Sequence, residues 1–178
     1  MVTAANVFAN DGIFVPSYII DHIRDKNGEK IKKLKNKSGE IIQSFGEGIR
    51  KPVINQYVSK LVKKYLISVT KKGGTAEKAS IRGYQVAGKT GTSQIFDKQL
   101  GRYSNTKYIS SFVGFAPASE PLITVLVIVE QPQNSYYGGI VAAPIFKKIV
   151  QRTLLFEDVL PFPEKNTEIF IQEKTAKL

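Results

Sequence analysis

The sequence predicts an α+β fold, an antiparallel sheet with helices packed on it. Three observations predict it. Two apolar runs, residues 111–116 and 122–129, are separated only by a short link holding Pro117 and Pro121, and strands joined so closely pair antiparallel. Segments 52–66 and 144–154 repeat apolar residues at helical spacing. The resulting order is helix, hairpin, helix, three strands, helix.

The elements follow in chain order. Val2, Ala5 and Ala9 share a helical face with Phe8 beside them, and Gly12 stands where such a helix stops. Short β-like runs follow at 13–15 and 18–20. Residues 25–40 are polar and hold six lysines, with turn signals at Asn27-Gly28 and Ser38-Gly39. They predict an exposed Lys-rich hairpin arm over about residues 21–43. Pro52 suits the first turn of a helix whose stripe is Ile54, Val58, Leu61, Val62, Tyr65 and Leu66, and Gly73-Gly74 ends it. A short strand is expected at 84–89. Residues 96–107 lack an apolar period and read as a long loop, as do residues 131–139. Pro144 opens the last helix, with Ile145, Phe146, Ile149, Val150 and Leu154 as its buried stripe. One domain is expected over 1–156, then a tail, 157–178, with no clear pattern.

Composition narrows the function. The 178 residues suit one domain, and 42% apolar content with 10 Phe and 8 Tyr supports a real core. No cysteine is present, which excludes disulfides, zinc thiolates and a thiol nucleophile. The net charge is +11 and the pI about 9.7, a balance compatible with nucleic acid, an anionic membrane or an anionic polymer. Yet 21 of the 26 basic residues are Lys, and Arg, favoured for bidentate phosphate and base contacts, is scarce. A Lys-rich composition accounts for the charge, and no nucleic acid is expected. The longest apolar run, 122–129, is strand-sized rather than membrane-spanning. Residues 1–10 carry no basic residue and no cleavage-like pattern, so they are not read as a signal peptide. They read as the middle of a packed helix, and the chain is expected to be a piece of a longer protein.

The most informative stretch is Gly73-Gly74-Thr75-Ala76 followed by Gly83 to Ser93. Residues 83–90 fit the G-x-x-x-x-G-K-T pattern of a phosphate-binding loop. Its context is poor: polar residues 77–82 precede it where an apolar strand belongs, and Gly91 follows Lys89-Thr90 where a helix should open. The same letters hold Lys-Thr-Gly, the strand element of penicillin-binding proteins and serine β-lactamases. In that setting Lys supplies a fixed positive charge for a substrate carboxylate, Thr hydroxyls hydrogen-bond it, and Gly lets a bound acyl-peptide lie close to the strand. A structural strand with a chance Lys-Thr-Gly is the third reading.

Beyond these three letters, the set Gly73-Gly74-Thr75-Ala76, Gly83-Tyr84, Ala87 to Thr92, Ser111 to Pro117, and Gly138-Gly139 with Ala142 to Phe146 resembles, in order and spacing, the class B penicillin-binding proteins, the monofunctional transpeptidases of division and elongation. Residues 2–12, ending Ala9-Asn10-Asp11-Gly12, resemble that family's Ala-Asn-Gly-Gly helix. The resemblance covers about 1–156. It implies the C-terminal part of a penicillin-binding, serine β-lactamase-like transpeptidase domain, acting on the extracytoplasmic face of the bacterial cytoplasmic membrane.

The implied reaction is acyl transfer without metal or organic cofactor. A serine attacks the penultimate D-Ala carbonyl of a peptidoglycan stem peptide and expels the last D-Ala. A neighbouring amine resolves the acyl-enzyme, and β-lactams stall at that stage. By resemblance, Lys89, Thr90, Gly91 and Thr92 bind the donor, and the Thr92 backbone N–H helps hold the oxyanion. The family's Ser-x-x-Lys and Ser-x-Asn elements would lie upstream of Met1. Ser-x-Asn occurs nowhere in the chain, and Ser-x-x-Lys occurs at Ser68 to Lys71 and Ser104 to Lys107. Both matches sit where the family has no nucleophile and are read as chance. His22 has no acidic partner at a telling spacing. The chain is therefore expected to be inactive alone. Its expected partners are stem peptide and β-lactams in the complete domain, the upstream half, and other cell-wall synthesis proteins. The alternatives are a basic polymer-binding module acting through the lysine arm, and a phosphate-binding-loop nucleotide domain.

Overall fold

The computed structural model describes residues 1–46, 48 and 50–161. Helix α1, Val2–Ala9, ends as the sequence predicts. Gly12 then takes φ +93°, and a Cβ there would strike the Ile54 carbonyl. The closeness is used: Val53 and Ile54 both donate backbone N–H groups to the Gly12 carbonyl. That contact sets strand β1, Ile13–Phe14, against β6, Lys51–Pro52.

Pro52 thus belongs to a short strand and not to a helix. Helix α2, Gln56–Ser68, starts later, where the Asn55 side chain accepts the Tyr57 N–H, because Asn is a strong N-cap and Pro supplies no cap. Residues 18–20 form no strand; β1 stops at Phe14, two residues before Pro16. The predicted arm is two hairpins in succession. Strands β2, Ile23–Arg24, and β3, Lys30–Ile31, flank the first turn, and β4, Lys33–Lys35, and β5, Ile41–Ser44, flank the second. The turn glycines Gly28 and Gly39 both have positive φ, as their sequence signals require.

The centre is a three-stranded antiparallel sheet ordered β7, Ala87–Asp97; β8, Arg102–Ala116; β9, Ile123–Glu130. The expected loop at 96–107 is instead the end of a long hairpin, in which Phe96 faces Tyr103 with rings edge to face at 5.4 Å. Both faces of this hairpin end are largely solvated, so no apolar alternation marks it as strand. β7 starts at Ala87, three residues after the expected Tyr84, which instead donates its hydroxyl to the Val159 carbonyl.

Helices cover both faces of the sheet. On one lie α3, Gly138–Val141, and α4, Ala143–Phe156, with Phe112, Phe146, Val150 and Leu154 buried between them and the strands. Of the expected α4 stripe, Ile145 and Ile149 remain about two-fifths exposed. On the other face lie α1 and α2, over Ala87, Phe115 and Ala118. Ser59, fully buried, lets α2 approach α1 and donates to the Phe8 carbonyl. Val58, Leu61 and Tyr65 of the expected α2 stripe are exposed. The expected tail lies mostly in residues 162–178, outside the described residues.

Candidate active site

Strand β7 is an edge of its sheet, so one side of its backbone is open to an extended ligand. Lys89 lies opposite Val113, Thr90 opposite Phe112, Gly91 opposite Ser111 and Thr92 opposite Ser110. Side chains alternate along a strand, so Thr90 and Thr92 share the α3 face while the Lys89 side chain leaves on the α1 and α2 face, from which its ammonium reaches back to within 3.5 Å of the Thr90 hydroxyl. No helix opens at Lys89; the strand runs on to Asp97. This excludes the phosphate-binding-loop reading, whose lysine must stand at a helix N-terminus.

Each threonine is placed by a neighbour to which sequence spacing gave no role at the site. The Thr90 hydroxyl lies 3.4 Å from that of Thr75, in the turn after α2. The Thr92 hydroxyl donates to the Tyr136 carbonyl at 3.4 Å, and the buried Ser110 hydroxyl donates to the same oxygen. Tyr136 is fixed further by stacking on Tyr108 at 4.3 Å and by Tyr137 at 4.6 Å. Its phenol is held above the usual tyrosine range, first by the hydrogen bond with Tyr137 and then by that ring's charge on ionisation.

Glycines permit the close layering behind the strand. A Cβ on Gly91 would strike the Ser111 hydroxyl. One on Gly138 would strike the Ser111 carbonyl and lie 2.8 Å from that of Gly91. The start of α3 therefore rests directly on the backbone of β7 and β8 at the Lys-Thr-Gly segment.

Lys89 is exposed, and its ammonium donates to the Thr90 carbonyl at 2.9 Å. No carboxylate pairs with it among the described residues. Its side chain helps line an apolar groove of about 300 Å³ shared with Met1, Ala5, Phe8, Val62, Leu66 and Phe115, among others.

The two Ser-x-x-Lys matches lie elsewhere. The Ser68 hydroxyl donates to the Tyr65 carbonyl of its own helix at 2.7 Å. Ser104, near the hairpin end, accepts the Thr106 and Lys107 N–H groups. No hydrogen bond joins either serine to a lysine side chain among the described residues. His22, on the arm, is 2.7 Å from its neighbour Asp21, an acidic partner the spacing argument overlooked. The described residues hold no cluster of acidic or histidine side chains suited to a metal, and no described helix is long and apolar enough to cross a membrane.

The family described as the penicillin binding protein transpeptidase domain matches residues 1–151. The chain is 43% identical over 112 residues to the peptidoglycan D,D-transpeptidase FtsI of Buchnera aphidicola, a match covering 62% of this chain and 19% of that protein. It is 40% identical over 119 residues to the probable peptidoglycan D,D-transpeptidase PenA of Neisseria flavescens, covering 66% and 29%. The matches thus span less than a third of these relatives. The fold superposes on the ampicillin complex of penicillin binding protein 3 from Mycobacterium tuberculosis with a TM-score of 0.78 and 26% identity, over 93% of this chain and 36% of that one. Against the transpeptidase domain of Burkholderia pseudomallei penicillin-binding protein 3 the TM-score is 0.67 at 32% identity, over 92% and 43%. The chain belongs to the class B penicillin-binding protein transpeptidase family.

Proposed function

We propose that these residues are the Lys-Thr-Gly half of a peptidoglycan D,D-transpeptidase site, with residues 1–156 as the C-terminal portion of its domain and the nucleophile supplied by a segment outside this chain. The observation that carries the reading is the open edge of β7, where two threonine hydroxyls share one face and the Lys89 ammonium lies within 3.5 Å of the nearer of them, that of Thr90. A donor peptide laid along this edge would meet Thr90 and Thr92 with its terminal carboxylate, and Lys89 would supply the charge. Charge-assisted hydrogen bonds of this kind are about twice as strong as neutral ones.

In the reaction, the serine oxygen bonds to the penultimate D-Ala carbonyl carbon, and the oxyanion forms beside the Thr92 N–H. Collapse of that intermediate breaks the peptide bond and releases D-Ala. Attack by an amine then forms the cross-link and regenerates the serine. One donor in an oxyanion hole contributes about 3 kcal/mol to such steps. A β-lactam would follow the first step only. The setting, by resemblance, is the outer face of the cytoplasmic membrane. The apolar groove between α1, α2 and the sheet is where the complementary half of the domain would pack.

The reading is tested by incubating the 178-residue chain with a fluorescent penicillin. No covalent label is expected, because neither Ser68 nor Ser104 has a base within reach. Label mapped by mass spectrometry to either serine would overturn the division of the site between two segments.

A further inference from the structure

Residues 17–46 carry the two hairpins, and neither buried core includes them. Between Lys30 and Lys37, five of eight residues are lysine and none is acidic, and all five lysines are exposed. Three of the arm's acidic side chains are engaged locally, although Lys30 and Lys32 also act on Asp21 at longer range. Asp25 accepts the Asn27 and Glu29 N–H groups, Glu40 accepts the Asn36 amide, and Asp21 pairs with His22. None of the five lysines forms an ion pair among the described residues, so their charge is uncompensated at contact distance.

The same arm exposes apolar side chains beside that charge. Cross-strand partners share a face, and Lys35 lies opposite Ile41 while Lys33 lies opposite Ser44. Ile41 and Ile42 are 50% and 63% exposed, and Ile19 is completely exposed. Two hydrogen bonds gather these segments: Phe45 N–H to the Lys32 carbonyl and Gly46 N–H to the Ile20 carbonyl. Tyr18, Ile19 and Ile20 then border a shallow concavity of about 450 Å³ with Gln43, Ser44 and Phe45.

We propose that this arm docks on an anionic bilayer, its lysines at the headgroup phosphates and Ile19, Ile41 and Ile42 in the boundary between headgroups and acyl chains. A soluble polyanion would engage the lysines and leave the isoleucines in water. A bilayer satisfies both, and stable anchoring takes two such signals. Lysine suits the task because a headgroup layer is a diffuse field rather than a fixed bidentate acceptor.

The test is co-sedimentation of the 178-residue chain with phosphatidylglycerol–phosphatidylcholine vesicles, against pure phosphatidylcholine vesicles and a vesicle-free control. Binding should require phosphatidylglycerol and weaken as salt rises above about 0.15 M. The double change Lys33→Gln and Lys35→Gln should lower the partition coefficient roughly 30-fold, and Ile41→Ser about tenfold. Lys60→Gln with Lys64→Gln on α2, which removes the same charge far along the chain from the arm, should change it less than twofold, roughly the level of bulk-charge screening. No vesicle binding would overturn the proposal. Equal loss in the α2 pair would reduce the effect to net charge and overturn it too. Binding to inorganic polyphosphate that competes with vesicles and is indifferent to Ile41→Ser would assign the arm to a soluble polyanion instead.

Discussion

Lys63 reaches from α2 to the C-terminal end of α1, where its ammonium is 3.0 Å from the Asp11 carboxylate and donates to the Ala9 carbonyl at 3.3 Å. A cation at this end also meets the negative pole of the helix dipole. The Lys63 hydrogen bond holds the Asp11 carboxyl below its ordinary value of 3.8. A carboxyl depressed on folding stabilises the protein above its unfolded pKa, and that contribution is lost as pH falls through the folded value. Asp11 is partly exposed, so the ion pair is worth only about 0–1 kcal/mol. Lys63→Met should therefore lower stability by roughly 1 kcal/mol near neutral pH and reduce the loss of stability below about pH 4. Urea unfolding at several pH values checks both, and an unchanged acid slope would remove Lys63 from the account. At this scale the Lys-Thr-Gly segment was legible because its letters are unusual in combination. Ser110 and the Tyr136 carbonyl were not, since a group that touches the site only through folding leaves no spacing signal, and Thr75, though part of the Gly73 to Ala76 motif, gave no sign of its contact with Thr90.

At the scale of elements, the packing of α3 and α4 sets where β7 lies. Phe146 is fully buried, with its ring edge-on to Phe112 at 4.8 Å, so Phe146→Ala should cost about 3–5 kcal/mol. Gly138→Ala should also destabilise, because its Cβ would meet backbone rather than a flexible side chain, and overpacking of this kind costs about 1–3 kcal/mol. The two should differ in reach. Hydrogen exchange should quicken at Gly91 and Thr92 in Gly138→Ala by more than the global loss of stability accounts for, whereas Phe146→Ala should act through global stability alone. Uniform change in both variants would contradict a direct seat of α3 on the strand. The strands at 111–116 and 122–129 were readable because packed faces demand continuous apolar residues. The hairpin end near Phe96 and Tyr103 was not, because exposed strand carries no period-two signal. The start of α2 was misplaced because Pro52 marks a strand edge as well as a helix start, and only pairing with Ile13 decides between them.

At the scale of the molecule, the sheet is covered on its α4 face and less completely on the other. Met1, Val2, Val58, Leu61 and Tyr65 are each more than a third exposed on α1 and α2, beside the groove that Lys89 overlooks. Such surface marks an absent partner or an aggregation hazard. The chain alone should bind an apolar dye and self-associate, and a monomer that binds no dye would count against a second half packing there. The α+β class and the helices flanking the sheet were legible together because one pattern of apolar residues specifies both. The groove was not legible, since its shape depends on how two helices distant in sequence converge. The central claim, that Lys89 to Thr92 hold the donor carboxylate once the other half is present, is tested most directly by reconstitution. The chain is combined with the upstream segment of the Buchnera relative's transpeptidase domain, and acylation by a fluorescent penicillin is followed. Label should appear on the upstream serine. Its rate should fall at least tenfold in Lys89→Ala and Thr90→Val, about the loss of one charged hydrogen bond, and less in Thr92→Ala, which keeps its backbone N–H. Acylation at the unmodified rate in Lys89→Ala would contradict the account.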